Sequence, residues 1–187
     1  MWFLLLSGCI PVLTTPGEAV SKDYVKPDNA WPAADSVPEL EPEGYAVGEL
    51  VEHQAALDQN GQSVDFWQFY GNVWVLDVST IWCQPCQDLA RTLQETADLY
   101  KDDGFVYVTV LAEDLDGAVP DEADLDYWVD TWGILDQPVL EDSEGFTAAL
   151  TGGQFPLLLV VGRDLRVAAR VDLPEDALLR EAIEDTL

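Results

Sequence analysis

The chain has 187 residues, of which 48% are hydrophobic and seven are tryptophan, enough to bury one domain-sized core. Thirty-six acidic residues against eight basic ones give a formal net charge of -28 at pH 7. Charge of this sign repels nucleic acids and anionic lipid headgroups, so a nucleic-acid-binding function is not expected. The acidic residues are spread along the chain, which is typical of a strongly solvated surface; a docking surface for basic partners is the alternative.

The chain begins with a short apolar run that ends at Cys9. The run is too short for a transmembrane helix, which needs about 20 residues. Its end, Leu6-Ser7-Gly8-Cys9, resembles the bacterial lipobox, in which the cysteine after the cleavage point carries a lipid. The resemblance implies that residues 1–9 are a lipoprotein-type signal segment and that Cys9 is lipidated. No Lys or Arg precedes the run, which an upstream start codon would explain; a plain secretion signal and coincidence are the alternatives.

Residues 10–47 contain six prolines, scattered charges and no sustained apolar periodicity. This composition predicts a disordered tether with an end-to-end distance of about 35 Å, ahead of a domain over residues 48–187. The alternative is an extended arm packed on the domain, which Trp31 and Tyr45 would anchor. If the segment is a tether, its removal should leave the domain folded.

The first predicted elements of the domain are a β-hairpin and a buried strand. Residues 50–57 and 62–64 flank the turn signal Asp58-Gln59-Asn60-Gly61. Residues 65–70 fit one helical turn. The β-rich run from Val73 to Ser79 is nearly continuous, which is typical of a strand buried on both faces of a sheet.

Two cysteines follow this strand in the pentapeptide Trp82-Cys83-Gln84-Pro85-Cys86. A cysteine attacks disulfides as the thiolate, so its pKa must be lowered from about 8.5. The N-terminus of a helix lowers it, because unsatisfied backbone N–H groups and the helix dipole favour the anion there. Helical spacing of apolar residues predicts such a helix from Cys83 to Tyr100, at Leu89, Leu93, Ala97 and Tyr100.

A zinc half-site and a structural disulfide are the competing uses of this cysteine pair. The chain has three cysteines and one histidine, so only Cys9 and His53 are left to complete a four-ligand zinc site. A structural disulfide between residues three apart would close a very short loop and constrain little of the unfolded chain. Redox activity is therefore the favoured interpretation.

The remaining segments alternate between strand and helix patterns. Residues 105–111 form a β-rich run, residues 122–132 have helical spacing, and residues 157–161 and 165–171 fit a hairpin around Gly162-Arg163-Asp164. Pro174 opens a last helix that extends to Leu187. Strand–helix alternation favours an α/β fold with parallel strands joined by right-handed crossovers.

The motif Trp-Cys-x-Pro-Cys after a buried strand, followed by this order of elements, resembles the thioredoxin fold. The N-terminal hairpin is similar to that of the extracytoplasmic TlpA/ResA-type redoxins, and the resemblance covers residues 48–187. It implies a thioredoxin-like α/β fold, with a central mixed β-sheet flanked by helices and an N-terminal β-hairpin extension. It places the cysteine pair at the edge of that sheet.

The resemblance also implies roles for residues around the pair. Cys83 would be the exposed nucleophile, and Cys86 would resolve the mixed disulfide, so that both form the redox disulfide. Asp77 lies six residues before Cys83 and matches the buried acid that takes the proton of the resolving cysteine. The alternative for Asp77 is a hydrated position near the strand end.

Three further residues are candidates for substrate binding. Phe155-Pro156 resembles the family's proline loop, whose cis peptide abuts the cysteine pair and offers backbone groups to an extended substrate segment. Phe155 is bulkier than the residues frequent at that position. Trp82 is expected either to line the substrate surface or to be part of the core.

The sequence gives less support to a metal site or to a thiol peroxidase site. His53 is far from the cysteine pair and is expected on a strand surface, so neither a copper site of the Sco type nor another metal site is predicted. Thiol peroxidases carry Thr-x-x-Cys preceded by a proline, together with an arginine. Thr80 stands three residues before Cys83, but Leu76 occupies the place of the proline, and Arg91 is the first arginine of the chain.

The sequence therefore predicts an extracytoplasmic, membrane-tethered thiol-disulfide oxidoreductase that acts without a cofactor. We expect a monomer, anchored by a lipid on Cys9, in the periplasm or at the cell surface. Its partners would be protein thiols or disulfides and an upstream electron donor. The resemblance to a reducing branch, which includes cytochrome c maturation factors, favours a reductase. A thiol peroxidase and a non-enzymatic metal-binding or assembly factor are the alternatives.

Overall fold

The computed structural model describes residues 19–187. Its strands are β1 (Ala55–Leu57), β2 (Ser63–Asp65), β3 (Val73–Thr80), β4 (Phe105–Glu113), β5 (Val139–Glu141), β6 (Leu157–Val161) and β7 (Val167–Val171). Its α-helices are α1 (Gln84–Tyr100), α2 (Glu122–Trp132), α3 (Thr147–Thr151) and α4 (Asp176–Glu184), and single 3₁₀ turns lie at Phe66–Phe69 and Lys101–Asp103. Within these residues no helix is long and apolar enough to cross a membrane.

The central sheet has five strands in the order β5-β4-β3-β6-β7. The pairs β3–β4 and β4–β5 are parallel, whereas β3–β6 and β6–β7 are antiparallel. A separate antiparallel hairpin, β1–β2, precedes the sheet in the chain. The predicted mixed sheet with an N-terminal hairpin is therefore confirmed. Because β3 and β4 are parallel, their carboxyl ends meet at one edge of the sheet, where α1 begins.

Alternation along the strands divides the core into two layers. Val73 and Val75 of β3 contact the cluster that contains α1 and α4, and this side of the sheet is called the α1 face. Trp74, Leu76 and Val78 contact a second cluster on the opposite side. The side chains of β3 are buried on both faces throughout, as the β-rich run predicts.

The opposite side of the sheet is covered by the 3₁₀ turn at Phe66–Phe69 and its neighbours together with residues 19–47, which we call the arm; that side is the arm face. Val37 is fully buried and Tyr24 is 7% exposed within the arm-face core. An antiparallel bridge joins Val20 to Pro38, and the backbone N–H of Ala34 donates to the carbonyl of Gln68 at 2.8 Å. The prediction of a disordered tether therefore does not hold for residues 19–47, whereas residues 10–18 lie outside the described part of the chain.

Sequence patterns do not identify the arm as a packed segment, and the reason is physical. Its prolines interrupt any helical or strand period, and its buried side chains are spaced irregularly. Isolated apolar residues still gain free energy when they cover an apolar sheet face, even without a period. Trp31 anchors the arm, as expected if this segment packs on the domain. Its indole N–H donates to the Asp58 carboxylate at 2.6 Å.

Two short elements were not predicted from the sequence, β5 and α3. They contain three and five residues, too few to show a hydrophobic period. Strand β5 exists because Val139 and Leu140 pair with the exposed edge of β4. The last helix is shorter than predicted and starts two residues after Pro174.

Candidate active site

The cysteine pair lies at the N-terminus of α1. Cys83 is the N-cap residue, and its Sγ accepts a hydrogen bond from the backbone N–H of Cys86 at 3.3 Å. The two residues are joined by a disulfide, with their Cα atoms 5.2 Å apart. Pro85 lies within the first helical turn, where its missing N–H costs no intrahelical hydrogen bond. The N–H groups and dipole at this position favour a thiolate on Cys83 after reduction.

The two cysteines differ in their access to solvent. Cys83 is 4% exposed and Cys86 is fully buried. The first cysteine is thus the more accessible of the two, although its exposure in the disulfide form is much smaller than expected for an exposed nucleophile. Both belong to the α1-face core, which also contains Ile81 and Leu89.

Asp77 is buried in the middle of β3 and is 1% exposed. By strand alternation it lies on the α1 face, the same side as the cysteine pair. The Oγ of Ser79 donates to its Oδ1 at 2.6 Å, and the hydroxyl of Tyr107 donates to its Oδ2 at 3.3 Å. A hydrated position near the strand end, the alternative for Asp77, does not agree with this burial.

Burial raises the pKa of Asp77 from its ordinary value of 3.8 to about 7, against the smaller, opposing effect of the two hydrogen bonds. Burial has this effect because a charged carboxylate is less well solvated in the core than in water. A carboxyl with a pKa near neutrality can accept a proton and release it again at physiological pH. Asp77 therefore has a pKa suited to proton transfer near neutral pH.

Ser79 and Tyr107 were not identified from the sequence. Ser79 lies two residues after Asp77 on the same strand, so the period of a strand would have placed it on the same face. Tyr107 is on β4, where it pairs in register with Val75, and only the strand order shows that its hydroxyl reaches Asp77. Burial and the nearby Asp77 charge raise the pKa of Tyr107 well above its ordinary value, so that its hydroxyl stays protonated.

Trp82 and Phe155 form an aromatic contact beside the cysteine pair. Trp82 is 47% exposed, and its ring meets that of Phe155 edge to face, with centroids 6.0 Å apart. Its indole N–H donates to Glu113 Oε2 at 2.9 Å, a partner that the sequence did not indicate. Of the two predictions for Trp82, this exposure favours a surface position over a core position.

The Phe155–Pro156 peptide bond is cis. Leu157, the next residue, pairs with Val78 of β3, so this bond lies beside the carboxyl end of that strand. The cysteine pair follows the same end of β3 in the chain. The fold therefore brings the predicted proline loop and the redox motif to one edge of the sheet.

The residues considered for other chemistries lie elsewhere or make other contacts. His53 contacts Asp65 at 2.8 Å and stacks on Trp67, which belongs to the arm-face core. Arg91 pairs with Asp88 and lies over the ring of Trp132. Across residues 19–187 no group of three or more His, Cys, Asp or Glu side chains is arranged to hold a metal. Cys9 lies outside the described residues.

No protein-family model matches the sequence, and no curated protein is significantly similar to it. The structure is similar to several solved structures. The thioredoxin domain of a thiol-disulfide oxidoreductase from Bacteroides vulgatus has a TM-score of 0.63 and 21% identity, over 77% of this chain and 100% of that domain. A thiol:disulfide interchange protein from a Bacteroides species has a TM-score of 0.62 and 21% identity, over 76% and 91% of the two chains.

A secreted Mycobacterium tuberculosis disulfide oxidoreductase, homologous to E. coli DsbE, is also similar. Its TM-score is 0.59 and its identity 19%, over 71% of this chain and 96% of that one. Likenesses of this extent confirm the predicted thioredoxin-like fold. The activities of the matched proteins support only a proposal about the activity of this chain.

Proposed function

We propose that this protein is a redoxin of the TlpA/ResA type, a thiol-disulfide oxidoreductase that exchanges disulfides with other proteins through Cys83 and Cys86. The observation that carries the proposal is the cysteine pair at the N-terminus of α1, on the same face of the sheet as the buried carboxyl of Asp77. The names of the structurally similar proteins, which are oxidoreductases and interchange proteins, support the same activity.

In the reducing direction, the reaction begins with the thiolate of Cys83. It attacks one sulfur of a partner disulfide, forms a mixed disulfide and releases the other partner sulfur as a thiolate, which takes up a proton. Asp77 then accepts the proton of the Cys86 thiol. The Cys86 thiolate attacks Cys83 Sγ, releases the second partner sulfur as a thiolate, which takes up a proton, and closes the Cys83–Cys86 disulfide. Two electrons pass to the partner, and a second dithiol, the upstream electron donor, must reduce the pair again.

Trp82, Phe155 and Pro156 form the proposed substrate surface. The half-exposed indole of Trp82 and the Phe155–Pro156 peptide flank the motif at the carboxyl edge of the sheet. An extended segment of a partner could contact the apolar side of Trp82 while its disulfide meets Cys83. This arrangement agrees with a protein substrate in place of a small molecule held in a deep cavity.

A trapping experiment tests the exchange mechanism. In Cys86→Ser the resolving sulfur is absent, so mixed disulfides should accumulate on Cys83 and can be identified by mass spectrometry. Cys83→Ser is the matched control and should trap nothing. If Cys86→Ser accumulates no partner while Cys83 still reacts with a thiol-specific alkylating agent, the exchange mechanism is wrong.

The proposed direction is reduction, which rests on the resemblance to the reducing redoxins. Equilibration with glutathione or dithiothreitol buffers, followed by alkylation of free thiols, measures the reduction potential of the pair. A reductase should have a potential near that of thioredoxin, about -270 mV, whereas a potential near about -120 mV would indicate an oxidant.

We further propose that the protein acts as a monomer outside the cytoplasm, anchored by a lipid on Cys9. The lipobox-like sequence before Cys9 supports the anchor, and the secreted oxidoreductase among the similar structures supports the compartment. The full chain should partition with membranes after expression in bacteria, and Cys9→Ser should release it. Equal membrane association of both proteins would contradict the anchor.

A further inference from the structure

Two hydroxyl groups contact the carboxyl of Asp77, one on each oxygen. Ser79 Oγ is 2.6 Å from Oδ1, and the Tyr107 hydroxyl is 3.3 Å from Oδ2. All three residues are at most 1% exposed. The two hydroxyls come from different strands, so the carboxyl is held from both β3 and β4.

Hydroxyls suit a carboxyl that must change its protonation state. A hydroxyl donates to a carboxylate and can rotate to accept from a protonated carboxyl, whereas lysine and arginine can only donate. A cation in this place would favour the charged form of Asp77 alone. Burial and the two hydroxyls account for the shift in the pKa of Asp77.

We propose that Ser79 and Tyr107 are positioning residues that hold the two carboxyl oxygens of Asp77 in a fixed orientation in both protonation states. The inference rests on the proposed function of Asp77 and deepens it. Each of the two hydroxyls donates its hydrogen bond to the carboxyl and not to a cysteine sulfur, so they act through the carboxyl.

The surroundings of Tyr107 fix its position. Its backbone N–H donates to Gln137 Oε1 at 2.7 Å, and its ring meets Phe105 edge to face at 6.5 Å. Its ring belongs to the α1-face core, and β4 pairs with β3 along the whole strand. Ser79 is fixed by β3 itself, because residues two apart on a strand lie on the same face.

The other groups near Asp77 come from four elements. Thr109 of β4 and Leu158 of β6 are its partners in the sheet register. The cysteine pair begins α1, and Asp176 of α4 adds negative charge near Tyr107. The Thr109 hydroxyl is buried and has no hydrogen-bond partner. It is therefore a matched control: a buried hydroxyl beside Asp77 that makes no hydrogen bond to it.

The first measurement is a ¹³C NMR titration of the Asp77 carboxyl in the reduced full-length protein. The titration is repeated in the variants Ser79→Ala, Tyr107→Phe and Thr109→Val. Both hydrogen bonds lower the pKa of Asp77 against the effect of burial. Each of the first two variants should therefore raise the titration midpoint, by about one pH unit. Thr109→Val should leave it unchanged, and circular dichroism confirms that each variant is folded.

The second measurement is the pH dependence of disulfide exchange with insulin as the protein disulfide. In Ser79→Ala and Tyr107→Phe the pH at which the exchange rate is half-maximal should rise together with the titration midpoint of the Asp77 carboxyl. Below the midpoint, exchange should become up to about tenfold slower, because a smaller fraction of Asp77 is deprotonated. A purely structural role would change the rate without moving the midpoint.

The outcomes separate this inference from the proposed function. Unchanged carboxyl midpoints in both Ser79→Ala and Tyr107→Phe, or an equal change in Thr109→Val, would overturn the positioning role. A shifted carboxyl midpoint with an unshifted exchange profile would support the positioning role but contradict proton transfer by Asp77.

Discussion

The two faces of the central sheet bury different kinds of side chain. Along β3 the arm face carries Trp74, Leu76 and Val78, which are all apolar. The α1 face carries Val73 and Val75 and then Asp77 and Ser79 near the cysteine motif. Burying an ionised carboxyl costs free energy even when it is hydrogen-bonded, so Asp77 makes the α1 face less stable than an apolar side chain in its place would. From Val73 to Val78 the arm face carries no ionisable group and contributes apolar packing, although the buried indole N–H of Trp74 has no hydrogen-bond partner.

The comparison predicts that changes on the α1 face affect activity and changes on the arm face affect stability. The largest effect is expected for Cys83→Ser. Because a hydroxyl is a far weaker nucleophile than a thiolate, exchange with insulin should fall by at least about 1,000-fold. Urea unfolding, compared with that of the reduced wild type, should change little, because serine is close to cysteine in size and can also serve as the N-cap residue of α1. Residual exchange above one tenth of the wild-type rate would contradict the assigned nucleophile.

The next effect in size is expected on the arm face. Deletion of residues 1–47 exposes the apolar side chains that Val37, Tyr24 and Trp31 cover, at about 1.5–3 kcal/mol for each large side chain. The free energy of unfolding should therefore fall by about 5 kcal/mol or more, as measured by urea denaturation. A truncated protein as stable as the full chain would restore the tether interpretation.

A pair of valines in the arm supplies a control for that deletion. Val37 is fully buried, whereas Val25 is 77% exposed. Val37→Ala should lower the free energy of unfolding by about 2 kcal/mol, and Val25→Ala by less than about 0.5 kcal/mol. Equal effects of the two substitutions would show that the arm does not pack as described.

On the α1 face, Asp77→Asn should stabilise the protein while slowing exchange. The pKa of Asp77 is about 7 in the folded protein and near 3.8 when unfolded, so the folded state binds the additional proton between these pH values. The free energy of unfolding of the wild type should therefore fall as pH rises from about 4 to about 7, by up to about 4 kcal/mol. In Asp77→Asn this decrease in the free energy of unfolding should be absent. In the control Asp126→Asn, which changes an exposed carboxylate, the decrease should remain. Urea denaturation at pH 4 and pH 8 measures the difference.

The smallest effect is expected from two tryptophans whose indole N–H groups each donate to a carboxylate. Trp31 bonds to buried Asp58, and Trp82 bonds to Glu113 at the surface. Trp31→Phe should lower the free energy of unfolding by about 1–2 kcal/mol, because the hydrogen bond reaches a buried charged group. Trp82→Phe should lower the free energy of unfolding by less than about 0.5 kcal/mol, but it should raise the KM for a protein disulfide. Equal stability losses would remove this distinction between the two faces.

The α1 face was largely predictable from the sequence. The spacing of Cys83 and Cys86, the run of β3 and the period of α1 all report local geometry, which neighbouring residues determine. Asp77 was identifiable because a carboxylate within an apolar run must have a reason to be buried. Its partner Tyr107 lies 30 residues away, and no local pattern connects the two.

The arm face shows where local patterns fail. Residues 19–47 have the composition of a linker, yet they cover an apolar sheet surface. Strand β5 is short and pairs with β4, and the short helix α3 packs Leu150 against the arm-face core. In each case the free energy comes from surface that other parts of the chain provide, so a window of sequence does not contain the information.

The sequence by itself determined the redox motif, the strand before it, the helix after it and the thioredoxin-like order of elements. The tertiary structure alone decided that the arm packs on one side of the sheet, that Trp82 meets Phe155 and Glu113, and that Tyr107 reaches Asp77. Periodicity and capping depend on residues a few positions apart, whereas burial and the pKa of Asp77 depend on which distant strands become neighbours.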